Sequence, residues 1–136
     1  MKSAMLLLPL IVAMASMVAS YHFKISLQRF ANDCKGPIAT RERISRDDHK
    51  CKDWEDGISF DSYDFTWNNH FNWAEAIEDY GECEIQVWEG THCTGRYLGY
   101  LSHANSKQGP GNCYAGFADA QGVPGRTKSA RVLCRK

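Results

Sequence analysis

The sequence predicts a mainly β protein held together by disulfide bonds, and three of its features support this prediction. Short stretches alternate between apolar and polar residues, as half-buried strands do. Six cysteines follow an apolar leader in a chain of 136 residues. A strand that leads into a Cys-x-Gly turn occurs twice, which indicates two related units.

The first twenty residues have the features of a secretory signal peptide. Lys2 supplies a positive charge, the stretch 5–17 is almost wholly apolar, and small residues up to Ser20 follow it. The apolar run is too short for a membrane span, which takes about 20 residues. We therefore expect cleavage after Ser20 and a secreted, extracellular chain over 21–136, folded as one disulfide-bonded domain without a membrane span.

All the cysteines lie beyond this leader, and an even number in a short exported chain indicates a disulfide framework. They are Cys34, Cys51, Cys83, Cys93, Cys113 and Cys134. The sequence has neither a C-x-x-C nor an H-x-x-x-H pair, the close ligand spacings that are common in zinc sites. We therefore expect neither a metal nor another cofactor.

The charges of the chain balance, with 16 basic and 16 acidic residues. Proteins that bind nucleic acids or anionic membranes generally carry a basic patch or tract. The composition therefore disfavours both kinds of partner.

The first unit, about 22–66, opens with the alternating run 23–27 and ends in a second strand-like run, 58–65. The residues of the second run expected to face inward are Ile58, Phe60, Tyr63 and Phe65.

A short helix is predicted between the units, over about 69–80. Asn68 or Asn69 can cap its first turn, and Gly81 can end it in a left-handed conformation. Its apolar face would hold Phe71, Ala74 and Ile77.

The second unit, about 82–136, has the clearest alternation. Cys83, Ile85 and Val87 would share one face of its first strand. A further strand is predicted within 93–101, and the last one over 129–134.

Aligning the two units predicts how the cysteines pair. Cys34 and Gly36 correspond to Cys93 and Gly95, and a polar loop then leads to the next cysteine in each unit. Of the 15 possible connectivities, this alignment selects Cys34–Cys51, Cys93–Cys113 and Cys83–Cys134.

The segments IQVWEGTHCTGRYLGY and KSARVLC resemble the Greek-key motif of βγ-crystallin-like proteins. The matching residues of the second unit are Trp88, Glu89, Gly95, Arg96, Ser129, Arg131 and Val132. In the first unit they are Phe30, Gly36 and Ser59. The resemblance implies a double Greek key with one short helix.

The pattern C-x-I-x-V…C-x-G…C…S-x-R-V-x-C is also similar to that of small cysteine-rich secreted proteins of filamentous fungi. Some of those proteins are host-directed effectors, and others resemble killer toxins with an α/β sandwich. An α+β sandwich of the killer-toxin-like type is therefore the alternative fold.

The βγ-crystallin-like resemblance also raises the question of calcium. The segment 124–129 of the second unit has no carboxylate, whereas 55–59 of the first unit could supply half a site. Because calcium takes about 6–8 oxygen ligands, we interpret 55–59 as a solvated acidic turn.

Two groups of residues are candidates for binding a partner. Trp54, Trp67 and Trp73 belong to a dense run of aromatic residues, and any that is exposed could stack on a sugar or anchor a protein. In a small domain, however, most of them are expected to fill the core. The second group is the bend that carries Glu89 and His92.

We expect a non-enzymatic, effector-like binding protein that acts extracellularly or at a host surface and modulates host immunity. The expected partner is a host protein or a cell-wall glycan, and the protein itself is expected to be a monomer. The first alternative is an antimicrobial or killer-type toxin. The second is a protease inhibitor or an extracellular, RNase-like hydrolase, in which Glu89, His92 and Arg96 would converge.

Overall fold

Two antiparallel sheets pack around one hydrophobic core in the computed structural model, which describes residues 25–39, 42–44, 50–67 and 77–135. The prediction of a mainly β fold is therefore confirmed. The predicted signal peptide and its cleavage point lie outside the described residues. Within the described ranges, no helix has the length and apolar character needed to cross a membrane.

The described part of the chain contains nine strands and two single-turn 3₁₀ helices. The strands of the first unit are β1 (Ile25–Asn32), β2 (Lys35–Pro37), β3 (Glu42–Ile44), β4 (Lys52–Asp53) and β5 (Ser62–Trp67). Those of the second unit are β6 (Glu82–Trp88), β7 (Tyr97–Leu101), β8 (Gly109–Ala115) and β9 (Ser129–Arg135). The 3₁₀ helices are Ile77–Tyr80 and Ala104–Ser106.

Each unit places one strand in the sheet of the other unit. The first sheet has the order β2-β1-β5-β8, with β3 also paired to β1, and the second has the order β4-β9-β6-β7. Strand β8 thus comes from the second unit and β4 from the first. The units meet at Phe60 and Thr127, whose N–H groups each donate to the other residue's carbonyl oxygen, at 2.9 and 2.8 Å.

This strand exchange shows why two of the predicted disulfides, Cys34–Cys51 and Cys93–Cys113, were wrong. The bonds in the structure are Cys34–Cys113, Cys51–Cys93 and Cys83–Cys134. The prediction assumed that each unit closes on itself. Because β4 and β8 cross to the opposite sheet, Cys51 just before β4 and Cys113 within β8 each meet the Cys-x-Gly turn of the other unit. The third bond is confirmed, and it joins residues directly opposite each other on β6 and β9.

The two Cys-x-Gly turns have matching geometry. Cys34 and Cys93 both have positive φ angles, 63° and 54°. The Cys34 N–H donates to Ser62 Oγ (2.8 Å), and the Cys93 N–H donates to Ser129 Oγ (2.9 Å). A buried serine in each unit thus anchors the turn from the adjacent strand.

The counterpart of Ser129 is therefore Ser62, and the prediction of Ser59 was wrong. Phe30 lies opposite Ser62 in the ladder, just as Trp88 lies opposite Ser129. Ser59 instead accepts a hydrogen bond from the Arg126 guanidinium, at 2.9 Å. The sequence match failed because several serines and threonines follow the Cys34 turn, and any of them could have supplied the hydroxyl that accepts from the Cys34 N–H.

The core is formed by the inward-facing side chains of both sheets. Its members include Ile25, Leu27, Trp54, Phe60, Tyr63, Phe65, Cys83, Ile85, Val87, Leu98, Ala130, Val132 and Cys134. The predicted inward positions of Cys83, Ile85 and Val87 are confirmed. Ile58 was expected to face inward as well, but it is 48% exposed because it lies in the loop before β5.

A charged side chain takes the inward position that follows Leu27 on β1. Arg29 is 2% exposed, and its guanidinium donates to both carboxylate oxygens of Asp56, at 3.1 and 2.6 Å. The guanidinium carbon also lies 4.9 Å from the centre of the Trp54 ring. The hydrogen bond from Arg29 lowers the pKa of Asp56. The segment that could have supplied half a calcium site thus uses this carboxylate to pair a core arginine.

Only the end of the predicted helix over 69–80 lies in the described part of the chain. There, Ile77–Tyr80 forms a single 3₁₀ turn, and Gly81 ends it with a φ of +79°. The Asn105 side chain donates to the carbonyl oxygens of Ile77 (3.3 Å) and Gly81 (2.7 Å), which fastens this turn to the second unit.

Candidate functional site

The structure assigns two of the three predicted tryptophans to the interior. Trp54 is buried beside Phe60, with their ring centres 5.1 Å apart. Trp67 is half-buried and packs against Tyr80, with the ring centres 5.4 Å apart. Trp73 lies outside the described residues. Trp54 and Trp67 thus serve the core, as expected for most of the aromatic run.

The predicted bend is exposed, but its charged groups form ion pairs at two separate places. The Arg96 guanidinium donates to Glu89 Oε2 (3.0 and 2.5 Å) and to Asp119 Oδ2 (2.8 Å). These two carboxylates raise the pKa of Arg96. His92 Nε2 instead lies 3.4 Å from Asp53 Oδ2 on β4. Glu89 and Arg96 therefore hold the loop around Asp119, while His92 approaches the exchanged strand.

A group of aromatic side chains lies on the outer surface of the second sheet, on strands β6 and β7. Because alternate residues point to opposite faces, the burial of Ile85 and Val87 directs Gln86 and Trp88 to the outer side of the sheet, where Gln86 is itself covered and only 9% exposed. Tyr100 lies opposite Gln86 in the ladder, and Tyr97 lies opposite Trp88. We call the surface formed by Gln86, Trp88, Tyr97, Tyr100 and Arg131 the aromatic face.

An irregularity in the ladder brings the two tyrosines onto one surface. Tyr97 and Tyr100 are three residues apart, so strict alternation would place them on opposite faces. Their partners on β6, Trp88 and Gln86, are only two residues apart. The register of the ladder therefore shifts between these two pairs, and β7 contains one extra residue there. This bulge returns Tyr97 to the outer face.

Neighbouring side chains hold the Trp88 ring in place. Its centre lies 5.2 Å from that of Tyr97, with 52° between the ring planes. The Arg131 guanidinium lies 5.3 Å from the Trp88 ring centre and also donates to the Gln86 side chain, at 2.5 Å. Trp88 is therefore a fixed, half-buried part of the aromatic face.

The two tyrosines, by contrast, are open to solvent. Tyr97 is 40% exposed and Tyr100 is 61% exposed. The other large exposed apolar side chains of the described residues, Ile58 and Val123, lie in loops. Among the described residues, exposed aromatic rings thus share one face of a sheet only at the aromatic face.

The charges around the aromatic face balance. The outer side of the same sheet carries Glu82 and Glu84 on β6 and Arg131 and Arg135 on β9. Glu82 lies opposite Arg135 in the ladder, and Glu84 lies 3.3 Å from the Arg135 guanidinium. Burial raises the pKa of Tyr97, and the nearby Glu84 raises it further. The Tyr97 hydroxyl therefore stays protonated at physiological pH and can both donate and accept a hydrogen bond.

No protein-family model matches this chain, and searches of curated proteins and of solved structures find no significant match. The chemistry of the described residues must therefore indicate what they bind. Among these residues, no group of three or more His, Cys, Asp or Glu side chains is placed to hold a metal ion.

Sequence reasoning placed Trp88, Tyr97 and Tyr100 on strands but did not identify them as a site. The available signal was two aromatic residues on a strand adjacent to one that carries an outward tryptophan. The bulge hid this signal, because a simple alternation separates the tyrosines. The sequence instead drew attention to the aromatic run around Trp54 and Trp67, and both of these side chains pack in or against the core.

Proposed function

We propose that this is an extracellular binding protein whose aromatic face binds a neutral cell-wall polysaccharide. The observation that carries the proposal is the pair of exposed tyrosines beside an immobilised Trp88 on one rigid sheet. The glycan was one of the two expected partners, but the proposed binding residues lie on the aromatic face instead of in the tryptophans of the aromatic run or the bend at Glu89 and His92.

The chemistry of the aromatic face suits a sugar chain better than an ionic ligand. The apolar C–H surface of a pyranose ring packs against an aromatic ring, while its hydroxyl groups need hydrogen-bonding partners. Tyrosine supplies both kinds of contact and loses little side-chain entropy on binding. The balanced charges give no excess of cations for a phosphate backbone.

The disulfides support an extracellular setting. Three of them join all six cysteines. Disulfides of this kind form and persist in oxidising compartments. A protein exported by the predicted leader would meet cell-wall glycans before any intracellular partner. We further propose that glycan binding serves a host-directed, effector-like role.

Cosedimentation with insoluble cellulose, chitin, β-1,3-glucan and mannan tests the binding proposal. We expect the protein to bind at least one of them, and we expect Tyr97→Ala and Tyr100→Ala each to weaken binding by about 3–10-fold, since an aromatic contact contributes about 0.5–1.5 kcal/mol. Tyr97→Phe and Tyr100→Phe should keep most of the affinity. Val123→Ala, which removes an exposed apolar side chain from a loop, is the matched control. Equal binding by all the variants would contradict the proposal.

The host-directed role needs a separate assay. We expect the oxidised protein to alter the elicitor-triggered oxidative burst of plant leaf discs, and we expect Tyr97→Ala/Tyr100→Ala to lose this effect. If the burst is unchanged while competing fungi or bacteria stop growing, the protein is a toxin instead.

A further inference from the structure

A half-open cleft enters the interior between the two sheets. It encloses about 220 Å³ and is lined by residues of β7 and β8, the terminal strands of their sheets. Its lining is distinct from the aromatic face, except that Tyr100 borders both. A ligand could occupy the cleft whether or not the aromatic face binds a glycan.

The inner end of the cleft is apolar and aromatic. Ile85, Val87 and Leu98 form part of it, and all three are buried. Tyr63 is also buried and stacks on Phe117, with ring centres 5.7 Å apart and 27° between the planes. The cleft therefore already contains the kind of ring surface on which a further ring can pack.

The residues at the mouth are small. Ala115 and Gly116 are exposed, and Gly99 and Ala118 are partly exposed. Gly116 has a φ of +82°, a conformation that side-chain-bearing residues rarely adopt, and a Cβ atom there would meet nothing within 4 Å. The backbone conformation thus favours glycine at position 116. A residue with a side chain there would narrow the entrance to the cleft.

We propose that this cleft binds a neutral molecule with a single aromatic ring, of the size and polarity of a methyl-substituted phenol. An apolar cavity of about 150 Å³ is known to hold benzene, so 220 Å³ leaves room for small substituents. The lining residues are all uncharged. A charged ring would lose its hydration without gaining a counter-ion, so a neutral ligand is selected.

The tyrosines of the cleft fit this selection. Burial raises the pKa of both Tyr63 and Tyr114, so both phenols stay neutral. The Tyr114 hydroxyl donates to the carbonyl oxygen of Lys107 at 2.7 Å, which fixes its ring as a wall of the cleft.

The test uses 4-methylphenol as the probe and methyl NMR spectra of the whole protein as the readout. We expect the resonances of Ile85, Val87 and Leu98 to shift in a saturable way. The non-aromatic analogue 4-methylcyclohexanol and the charged analogue 4-hydroxybenzoate should bind at least ten-fold more weakly. Equal binding of either analogue, or shifts that avoid these three methyl groups, would overturn the proposal.

Two variants check the location. Ala118→Leu places extra volume in the cleft and should weaken 4-methylphenol binding at least ten-fold. Ala120→Leu makes the same change at an exposed position outside the lining and should bind like the unchanged protein. If Ala118→Leu fails to fold, Ala115→Leu at the mouth replaces it. Undiminished binding by a folded cleft variant would contradict the assignment.

Discussion

At the scale of single residues, a buried arginine in a small core needs a counter-charge, and Arg29 obtains it from Asp56. Burying one charge without its partner is strongly unfavourable, whereas the paired ions are tolerated. The loop that carries Asp56 is thereby held against β1. The acidic turn that carries Asp56 thus has a structural role.

Replacing Asp56 should therefore destabilise the protein in a pH-dependent way. At pH 7 we expect Asp56→Asn to lower the free energy of unfolding by about 1–3 kcal/mol, because it weakens hydrogen bonds to a buried guanidinium while Asp56 itself lies at the surface. Folding lowers the pKa of Asp56, so its contribution to stability is complete above the ordinary value of 3.8 and is lost as the pH falls through the lowered value. Urea unfolding at pH 7 and at pH 2 measures the difference.

The exposed Asp33 provides the control for this experiment. Asp33→Asn changes the same functional group without affecting the Arg29 pair and should have little effect at either pH. A stability loss in Asp56→Asn that is equally large at pH 2 would show that the charge pair is not its cause.

The two anchoring serines give a second prediction at this scale. Ser62→Ala and Ser129→Ala each leave a cysteine N–H without its partner and should cost about 1–3 kcal/mol. Ser59→Ala removes only a surface hydrogen bond to Arg126 and should cost about 0.5 kcal/mol or less. Chemical denaturation of the three variants measures this. If Ser59→Ala lowered the free energy of unfolding most, the assignment of Ser62 as the counterpart of Ser129 would be incorrect.

At the scale of elements, the two exchanged strands differ in how firmly the ladder holds them. Strand β4 has only two residues, whereas β8 has seven. In β8, Tyr114 also packs beside Tyr63, and the Gly111 N–H donates to Asp64 at 3.2 Å. The position of β4 should therefore depend more on its disulfide than the position of β8 does.

Removing one bridge at a time tests this difference. In Cys51→Ala/Cys93→Ala we expect the amides of β4 to exchange with solvent at least about ten-fold faster, because the disulfide no longer restrains the local opening of this strand. In Cys34→Ala/Cys113→Ala, β8 should keep most of its protection. Each pair should also lower overall stability by about 2–5 kcal/mol. A larger loss of protection in β8 than in β4 would contradict this account.

The same elements show what the sequence could predict. Alternation identified the inward residues of β6, such as Ile85 and Val87, because that pattern is local. The exchange of β4 and β8 leaves no local trace, so the cysteine pairing derived from a simple repeat was wrong for two bonds. The aromatic face was missed for a similar reason, since a bulge seen only in the paired ladder aligns Tyr97 with Tyr100.

At the scale of the whole molecule, the strand exchange joins the units covalently. Both Cys34–Cys113 and Cys51–Cys93 connect the first unit to the second, whereas Cys83–Cys134 lies within the second. Pairing within each unit, as the sequence alignment predicted, would leave the units linked only through the chain between them.

A cut in that chain distinguishes the two arrangements. With a protease site inserted between Asn72 and Trp73, we expect the cleaved, oxidised protein to run as one species on a denaturing gel. Reduction should then separate it into two fragments. Separation before reduction would contradict both inter-unit disulfides.

The central claim is that the aromatic face is the binding surface, and an NMR titration tests it most directly. The titrant is a soluble hexasaccharide derived from the polysaccharide that cosediments with the protein. We predict saturable shifts of the Trp88 indole N–H and of backbone amides in β6 and β7, with no comparable change around Trp54 or the bend at His92. Shifts centred on either of those places, or binding that leaves the Trp88 signal unmoved, would contradict the claim.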